Sequence, residues 1–459
     1  MSLPATDMHC DGDTLVSRKG RELYEILLGR RRSRIALAGT INELAEEAAE
    51  SADEAPAGEA QPQCSPAEGA QPAGFCKVGE NILQLTPRRQ SYAPEPGISL
   101  VDLLDWYQNK EVDAVRGQEK ALIKMTLKAI MLNSFSLEGP AGRGKTHLLK
   151  ALTSVLPEEK VYWFEFATDT ALFNKSEEIN RHQILMVPEY QKILKSCPQT
   201  REAIKTLTEG RVAKREKMDE GVMKQYVLLP KCVITSIADE NEFKEILGRD
   251  KEDMRRFSHI KVDTSYDNTL KIREFKRQKR SVLPERMKAA DKSLGERIRR
   301  HLSDCIDLKL DSPPLDPFAE FMDQHLPMTD KSIAYVDDYY SYLDGCAKFH
   351  HRERMLDYGN DRVLALDLAD HFTVYQIYHA EFCQMLLKLD DMESFGERGQ
   401  KALEPVDWKA CFEAGIAKMR ENLPDAAVDK WISRQLDCSR LAVTDVLTRG
   451  EKVLFEYEQ

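Results

Sequence analysis

One octapeptide, GPAGRGKT at Gly139–Thr146, constrains this chain more than any other stretch. It satisfies the phosphate-loop spacing G-x-x-x-x-G-K-[ST] in full. Gly139, Gly142 and Gly144 let the backbone curl so that its N–H groups point inward at a β-phosphate. Lys145 reaches the β/γ oxygens, the Thr146 hydroxyl is placed to ligate Mg²⁺, and the helix that starts there adds its N-terminal dipole. The apolar run FSLEG precedes the loop and an amphipathic pattern follows, which is the strand–loop–helix setting the motif requires. The expected nucleotide-binding set is therefore Gly139, Pro140, Ala141, Gly142, Arg143, Gly144, Lys145 and Thr146, holding ATP with Mg²⁺.

Around this loop the pattern alternates. A helix is expected over about 117–132, strands at KVYWFEF (160–166), QILMVPE (183–189) and CVITSI (232–237), and helices near 200–208 and 241–247. Strands alternating with helices predict a parallel sheet flanked by helices, an α/β core. After about Tyr266 only helical patterns are read, over 268–303 and 330–390. At 459 residues the chain is too long for one ordinary domain. The expected organisation is a short helical segment (1–54), a disordered linker (55–92), the ATPase core (93–265), a helical lid (266–390), a second linker (391–404) and a terminal module (405–459). The linker reading rests on APAGEAQPQCSPAEGAQPAG at 55–74, which has too little apolar surface to offset its chain entropy.

Charge is uneven. The net charge is −11, yet residues 43–59 hold seven acids and no base while 271–300 hold twelve Lys/Arg against four acids. An average over the chain therefore says little about any one surface. Ten cysteines stand singly, without a C-x-x-C pair, which fits reduced thiols better than a disulfide framework. Neither a secretory signal nor an apolar run of about 18 residues is found, so no membrane partner is expected and the chain is placed in the cytoplasm or at the nucleoid.

Hydrolysis needs an acidic group at the end of a neighbouring strand. Glu189, closing QILMVPE, either orients the attacking water or complements the dipole of the helix that follows it. The residue before it is Pro188, where an aspartate would assist Mg²⁺, so slow turnover is a second possibility. Thr235 or Ser236, at the end of CVITSI, is placed to touch a γ-phosphate. Arg255 and Arg256, in DMRRFSHIKVD, either neutralise a neighbouring subunit's γ-phosphate or form a solvated helix end.

In the order of these motifs the chain resembles the AAA+ ATPases. VRGQEKALIKMTLKAIMLNSFSLEGPAGRGKTHLLKAL carries a Gly-Gln-Glu box at Gly117–Glu119 ahead of the phosphate loop, and LMVPE, ITS and RRF follow in sequence. The resemblance covers about 98–390. It implies a ring of about six subunits, Arg256 as the finger acting in trans with Arg255 as second choice, and Lys331 as the nearest match to the second sensor. TREAIKTLTEGRVAKREKMDEGVMKQYVLLPKCVITSIAD is similar to minichromosome-maintenance-type and primase-associated helicases, in which a basic hairpin directly before the sensor strand grips DNA. Lys214, Arg215 and Lys217 are the residues this implies here.

The terminal stretch PDAAVDKWISRQLDCSRLAVTDVLTRGEKVLFEYEQ resembles a winged-helix domain. One helix is expected over about 426–436, a second from an N-cap at Ser439 to before Gly450, and KVLFEYEQ as a wing strand. Ser439, Arg440, Thr444 and Arg449 would then face a DNA groove, or the module serves protein contacts instead. The whole is an expected DNA helicase or translocase acting on single-stranded or forked DNA. The alternatives are an ATP-switched replication initiator or loader with little turnover, and a protein remodeller. A replication partner is expected for the N-terminal segment.

Overall fold

A computed structural model describes residues 97–109, 114–165, 168–219, 222–237, 257–281, 291–310, 312–326, 333–358, 361–388, 404–437, 440–448 and 451–456. All of them belong to the unit Glu95–Gln459. The expected N-terminal segment, the 55–92 linker, the 241–247 helix, Arg255, Arg256, Lys331, Ser439 and Arg449 lie outside the described residues.

The centre is a five-stranded sheet. Its strands are β1 (Phe135–Glu138), β2 (Val161–Trp163), β3 (Ile184–Val187), β6 (Cys232–Ile237) and β7 (Ser258–Lys261), in the order β2-β3-β6-β1-β7. Every pairing is parallel. β1, β3 and β6 are buried at every position, as strands covered on both faces must be. Alternation then divides them. Ile184 and Met186 join one apolar core, while Leu185 and Val187 join the other.

On one face lie α1 (Leu100–Asn109), α2 (Glu119–Ile130) and α3 (Lys145–Thr153). On the other lie α4 (Tyr190–Ser196) and α5 (Pro198–Thr208). α5 leads into the antiparallel hairpin β4 (Ala213–Asp219) and β5 (Val222–Leu228), which sits directly before β6. The expected strands and the inserted hairpin are thus present, in an α/β architecture compatible with a phosphate-loop core.

After β7 come α6 (Tyr266–Ser281), α7 (Lys292–Asp307), α8 (Ile333–Phe349) and α9 (Leu368–Lys388). The expectation that strands cease after Tyr266 is corrected here. β8 (Met355–Tyr358) and β9 (Asp361–Leu364) pair antiparallel, with Tyr358 opposite Asp361. Only Gly359 and Asn360 separate them, a two-residue connection of the kind that favours a tight hairpin.

The C-terminal module requires a second correction. α10 (Trp408–Asn422) and α11 (Asp425–Gln435) form, but the expected helix from Ser439 does not. Instead β10 (Leu436–Asp437), β11 (Arg440–Asp445) and β12 (Glu451–Glu456) make a three-stranded antiparallel sheet. β11 and β12 pair in register from Arg440 opposite Glu456 to Asp445 opposite Glu451, and that pairing holds the stretch extended. The expected wing strand forms and acquires a neighbouring strand in place of the second helix.

α11 is not held at arm's length. Trp431 is fully buried between Phe318 and Phe412, and its indole N–H donates to Leu366 O at 3.1 Å. A single apolar core runs from α1, α2 and one face of the sheet through the helical region into α10 and α11.

Candidate functional site

In a parallel sheet all strands leave by the same edge, and ligands gather outside the carboxyl ends where the strand order reverses. Here β1 leads leftward in the sheet order to β2, whereas β6 leads past β1 to β7. An open cleft of about 450 Å³ lies at that edge, lined by Gly142, Gly144, Lys145, Thr146, Pro188, Glu189, Gln191, Lys192 and Ser236. Residues about 45 and 90 positions beyond the loop are brought to it by the insertion of β6 between β1 and β3.

The loop itself is built by backbone conformation. Gly142 and Gly144 have φ of +77° and +85°, a left-handed geometry that disfavours any side chain even though a Cβ would meet nothing there. Gly144 is the N-cap of α3 and supplies no side-chain cap, so the first turn presents its N–H groups to the cleft. Gly139 is small for a different reason: a Cβ there would approach Val262 at 3.1 Å. Lys145 Nζ donates to Gly139 O and, at 3.0 Å, to Pro140 O, folding the ammonium over the loop. Thr146 lines the cleft and is exposed, whereas Ala141 and Arg143 are exposed in the loop without lining the cleft.

Glu189 is the N-cap residue of α4, yet its carboxylate accepts no hydrogen bond from that helix's first turn. It pairs instead with Lys192 Nζ, one turn on, with both side chains more than half exposed. Pro188 brings no carboxylate; its carbonyl accepts from the Ser236 hydroxyl at 2.5 Å, tying the ends of β3 and β6 together. The two candidates at the end of β6 are separated by strand alternation. Ser236 lines the cleft, whereas Thr235 points to the opposite face and donates to Ser136 Oγ at 2.9 Å inside the sheet. The structure therefore brings together the loop, Glu189 and Ser236, and leaves Thr235 as a tie between β6 and β1.

Gln191 and Lys192 are cleft residues that the sequence reading missed. Their signal was the helical spacing from Glu189, which means something only once α4 is known to begin at Tyr190 and face the loop.

The Gly-Gln-Glu box has a structural task. Gln118 forms two bonds with the Asp263 backbone, donating to its O at 2.8 Å and accepting from its N at 3.0 Å. Glu119 accepts from Gly117 N at 2.9 Å and from Gln108 at 3.0 Å. Since Val262 N donates to Glu138 O at 2.9 Å, the box holds the chain leaving β7 close behind the phosphate loop.

The hairpin divides its basic residues between two faces. Lys214, Glu216 and Met218 share one, opposite Val227, Gln225 and Met223. Arg215 and Lys217 share the other, opposite Tyr226 and Lys224. Arg215 is half-buried with its guanidinium 5.9 Å from the Phe173 ring, whereas Lys214 and Lys217 are exposed. Lys224, directly across from Lys217, was also missed; pairing register is what places it there. Arg440 and Thr444 stand on β11, opposite Glu456 and Lys452, rather than on a recognition helix.

Among the described residues no helix is long and apolar enough to cross a membrane. Neither a protein-family model nor a curated protein matches the chain, so any functional reading rests on the residues of the site itself.

Proposed function

We propose that this chain is an ATP-hydrolysing motor of the AAA+ type that moves along nucleic acid. The observation that carries the reading is the convergence of a phosphate loop, Glu189 and Ser236 on one cleft at the carboxyl edge of a parallel sheet. In this reading the N–H groups of Gly142–Thr146 cradle the phosphates, and Lys145 exchanges its loop carbonyls for β/γ oxygens. Thr146 ligates Mg²⁺. Glu189, released from Lys192, orients the attacking water, and Ser236 contacts the γ-phosphate. Arg256, or Arg255, acts from the next subunit of a ring of about six, with Lys331 as second sensor. Lys214 and Lys217 on the exposed hairpin grip the strand, with Arg215 stacked on Phe173 at its base. The C-terminal sheet then serves as a further DNA or protein contact, and the motor works in the cytoplasm or at the nucleoid.

The test is ATP turnover with and without single-stranded DNA, for the wild type, Glu189→Gln and Lys214→Ala/Lys217→Ala. Stimulation by DNA that is lost in both variants supports the motor; turnover that ignores DNA in the wild type rejects it.

One observation favours a second reading, an ATP-switched DNA-binding initiator or loader. Pro188 offers no carboxylate to Mg²⁺, its carbonyl is held by Ser236, and Glu189 is engaged by Lys192. Tight ATP binding with negligible turnover under every condition would select it.

A further inference from the structure

α6 is built unlike the other long helices. Of its sixteen residues, YDNTLKIREFKRQKRS, only Asn268 is buried. Its inward row is short: Asn268, Ile272 and Phe275, with Phe275 lying under the Arg116 guanidinium at 5.4 Å. The outward row, at helical spacing, is Tyr266, Leu270, Arg273, Arg277 and Arg280, all exposed, with Tyr266 at 75%.

A helix that is polar nearly all round bridges domains through solvent, is stabilised by many internal ion pairs, or is marginal by itself. α6 carries six Lys/Arg and two acids. Glu274 makes one long contact with Arg277, at 3.7 Å. Arg273/Arg277, Lys276/Arg280 and Arg277/Arg280 stand three or four residues apart, where like charges repel by roughly 0.2–0.5 kcal/mol per pair. Such a stripe is self-repelling until an anion neutralises it. The β4–β5 hairpin is less charged by comparison: over 213–228 its four bases face three acids.

The base of α6 is firmly set. Asn268 donates to Asp263 O at 2.6 Å, the same carbonyl that Gln118 holds. Gly117 has φ +76°, and a Cβ there would fall 1.7 Å from Asn268 Oδ1. The N-terminal end of the helix is thereby tied to the chain leaving β7, the strand at the edge of the sheet.

We infer that the outward face of α6 is a nucleic-acid surface that binds the phosphate backbone of a duplex. From Arg273 to Arg280 the face runs about 10 Å at ~1.5 Å per residue, which spans about three phosphates of one strand. The contacts inferred here go to phosphate oxygens, which carry no sequence information, so this recognition is sequence-blind. The surface adds a second contact to the nucleic-acid part of the function proposed above, and it stands whether or not the cleft turns over ATP.

The probe is a fluorescein-labelled 20-base-pair duplex followed by anisotropy over a salt series. Full-length wild type is compared with Arg273→Gln/Arg277→Gln/Arg280→Gln and, separately, with Lys214→Ala/Lys217→Ala. The arginine variant is expected to bind about tenfold or more weakly and to flatten the log-affinity against log-salt slope by about 3. Its thermal melt should be unchanged, because none of the three side chains is buried. Equal affinity and slope in wild type and arginine variant overturn the inference, as does wild type that binds no duplex. A loss confined to the hairpin variant overturns it while leaving the proposed motor standing. Displacement of the duplex by poly-glutamate at equal charge overturns it in favour of an acidic protein partner.

Discussion

At the scale of single residues, the cleft rests on a few side chains whose tasks are separable. Lys145→Ala removes the one ammonium folded over the loop, so nucleotide binding measured with a fluorescent ATP analogue should fall by at least about tenfold. Glu189→Gln keeps the size of the side chain and removes its charge. Turnover should drop by about 100-fold or more while the same analogue binds normally. If both binding and turnover survive Glu189→Gln, the carboxylate is not the group that orients water. His301 supplies a test remote from the cleft. Its ring is packed edge-on to Phe349, and burial, together with the neighbouring His351 and His350, pushes its pKa from 6.5 down to about 4. The folded chain thus resists a proton that the unfolded chain accepts. Stability is full above pH 6.5 and is lost as the pH falls towards 4. Burial acts on Asp344 in the opposite sense, raising its carboxyl to about 6, so folding gains stability from it as pH falls through the same range. The two are resolved by comparison: between pH 7 and 4.5 the melting temperature of His301→Gln should fall less than that of the wild type.

At the scale of elements, a buried ionic knot joins the β8–β9 region to α9 and α11. Arg354 is bidentate to Asp370, at 2.8 and 3.0 Å, and also reaches Asp367 at 2.7 Å. Arg434 of α11 pairs with the same Asp367 and donates to Glu353 O at 2.6 Å. The guanidinium holds the Asp370 carboxyl far below the usual carboxylate range despite its burial. Removing one partner leaves charge stranded in the interior. Arg354→Ala should cost about 3–5 kcal/mol in urea unfolding, and a loss below 1 kcal/mol would mean the knot is wetter than its geometry indicates. The same scale shows why some elements were legible and others not. β1, β3 and β6 are short apolar runs closed by polar or turn residues, a pattern visible without partners. SRLAVTDV satisfies helical and extended periodicities alike, and only pairing with Lys452–Phe455 decides for a strand. The β8–β9 hairpin was hidden for a related reason, since its four-residue strands lie between two long helices.

At the scale of the molecule, the C-terminal helices are part of the central core. Trp431 has no exposed surface and is enclosed by aromatic rings from two other segments. Trp431→Ala should therefore destabilise the chain by about 3–5 kcal/mol, read as a lower midpoint in one denaturant transition. A truncation ending at residue 403 should expose Phe318 and Phe372 and aggregate rather than leave an independently folded α/β core. A soluble truncated form with the wild-type melting temperature would disprove this. What the sequence by itself determined is local: the phosphate-loop motif, its glycines and the buried strands beside it follow from backbone freedom and side-chain period over a few residues, whereas the inserted hairpin was expected only from a family resemblance. Tertiary structure alone decided the rest. Placing β6 between β1 and β3 brought Glu189 and Ser236 to the loop, and alternation within the paired strand turned Thr235 away from it. Packing of one face drew Arg215 onto Phe173 and left the arginines of α6 in solvent. Which face of an element finds a partner is settled by residues distant in sequence, and no period within the element records it.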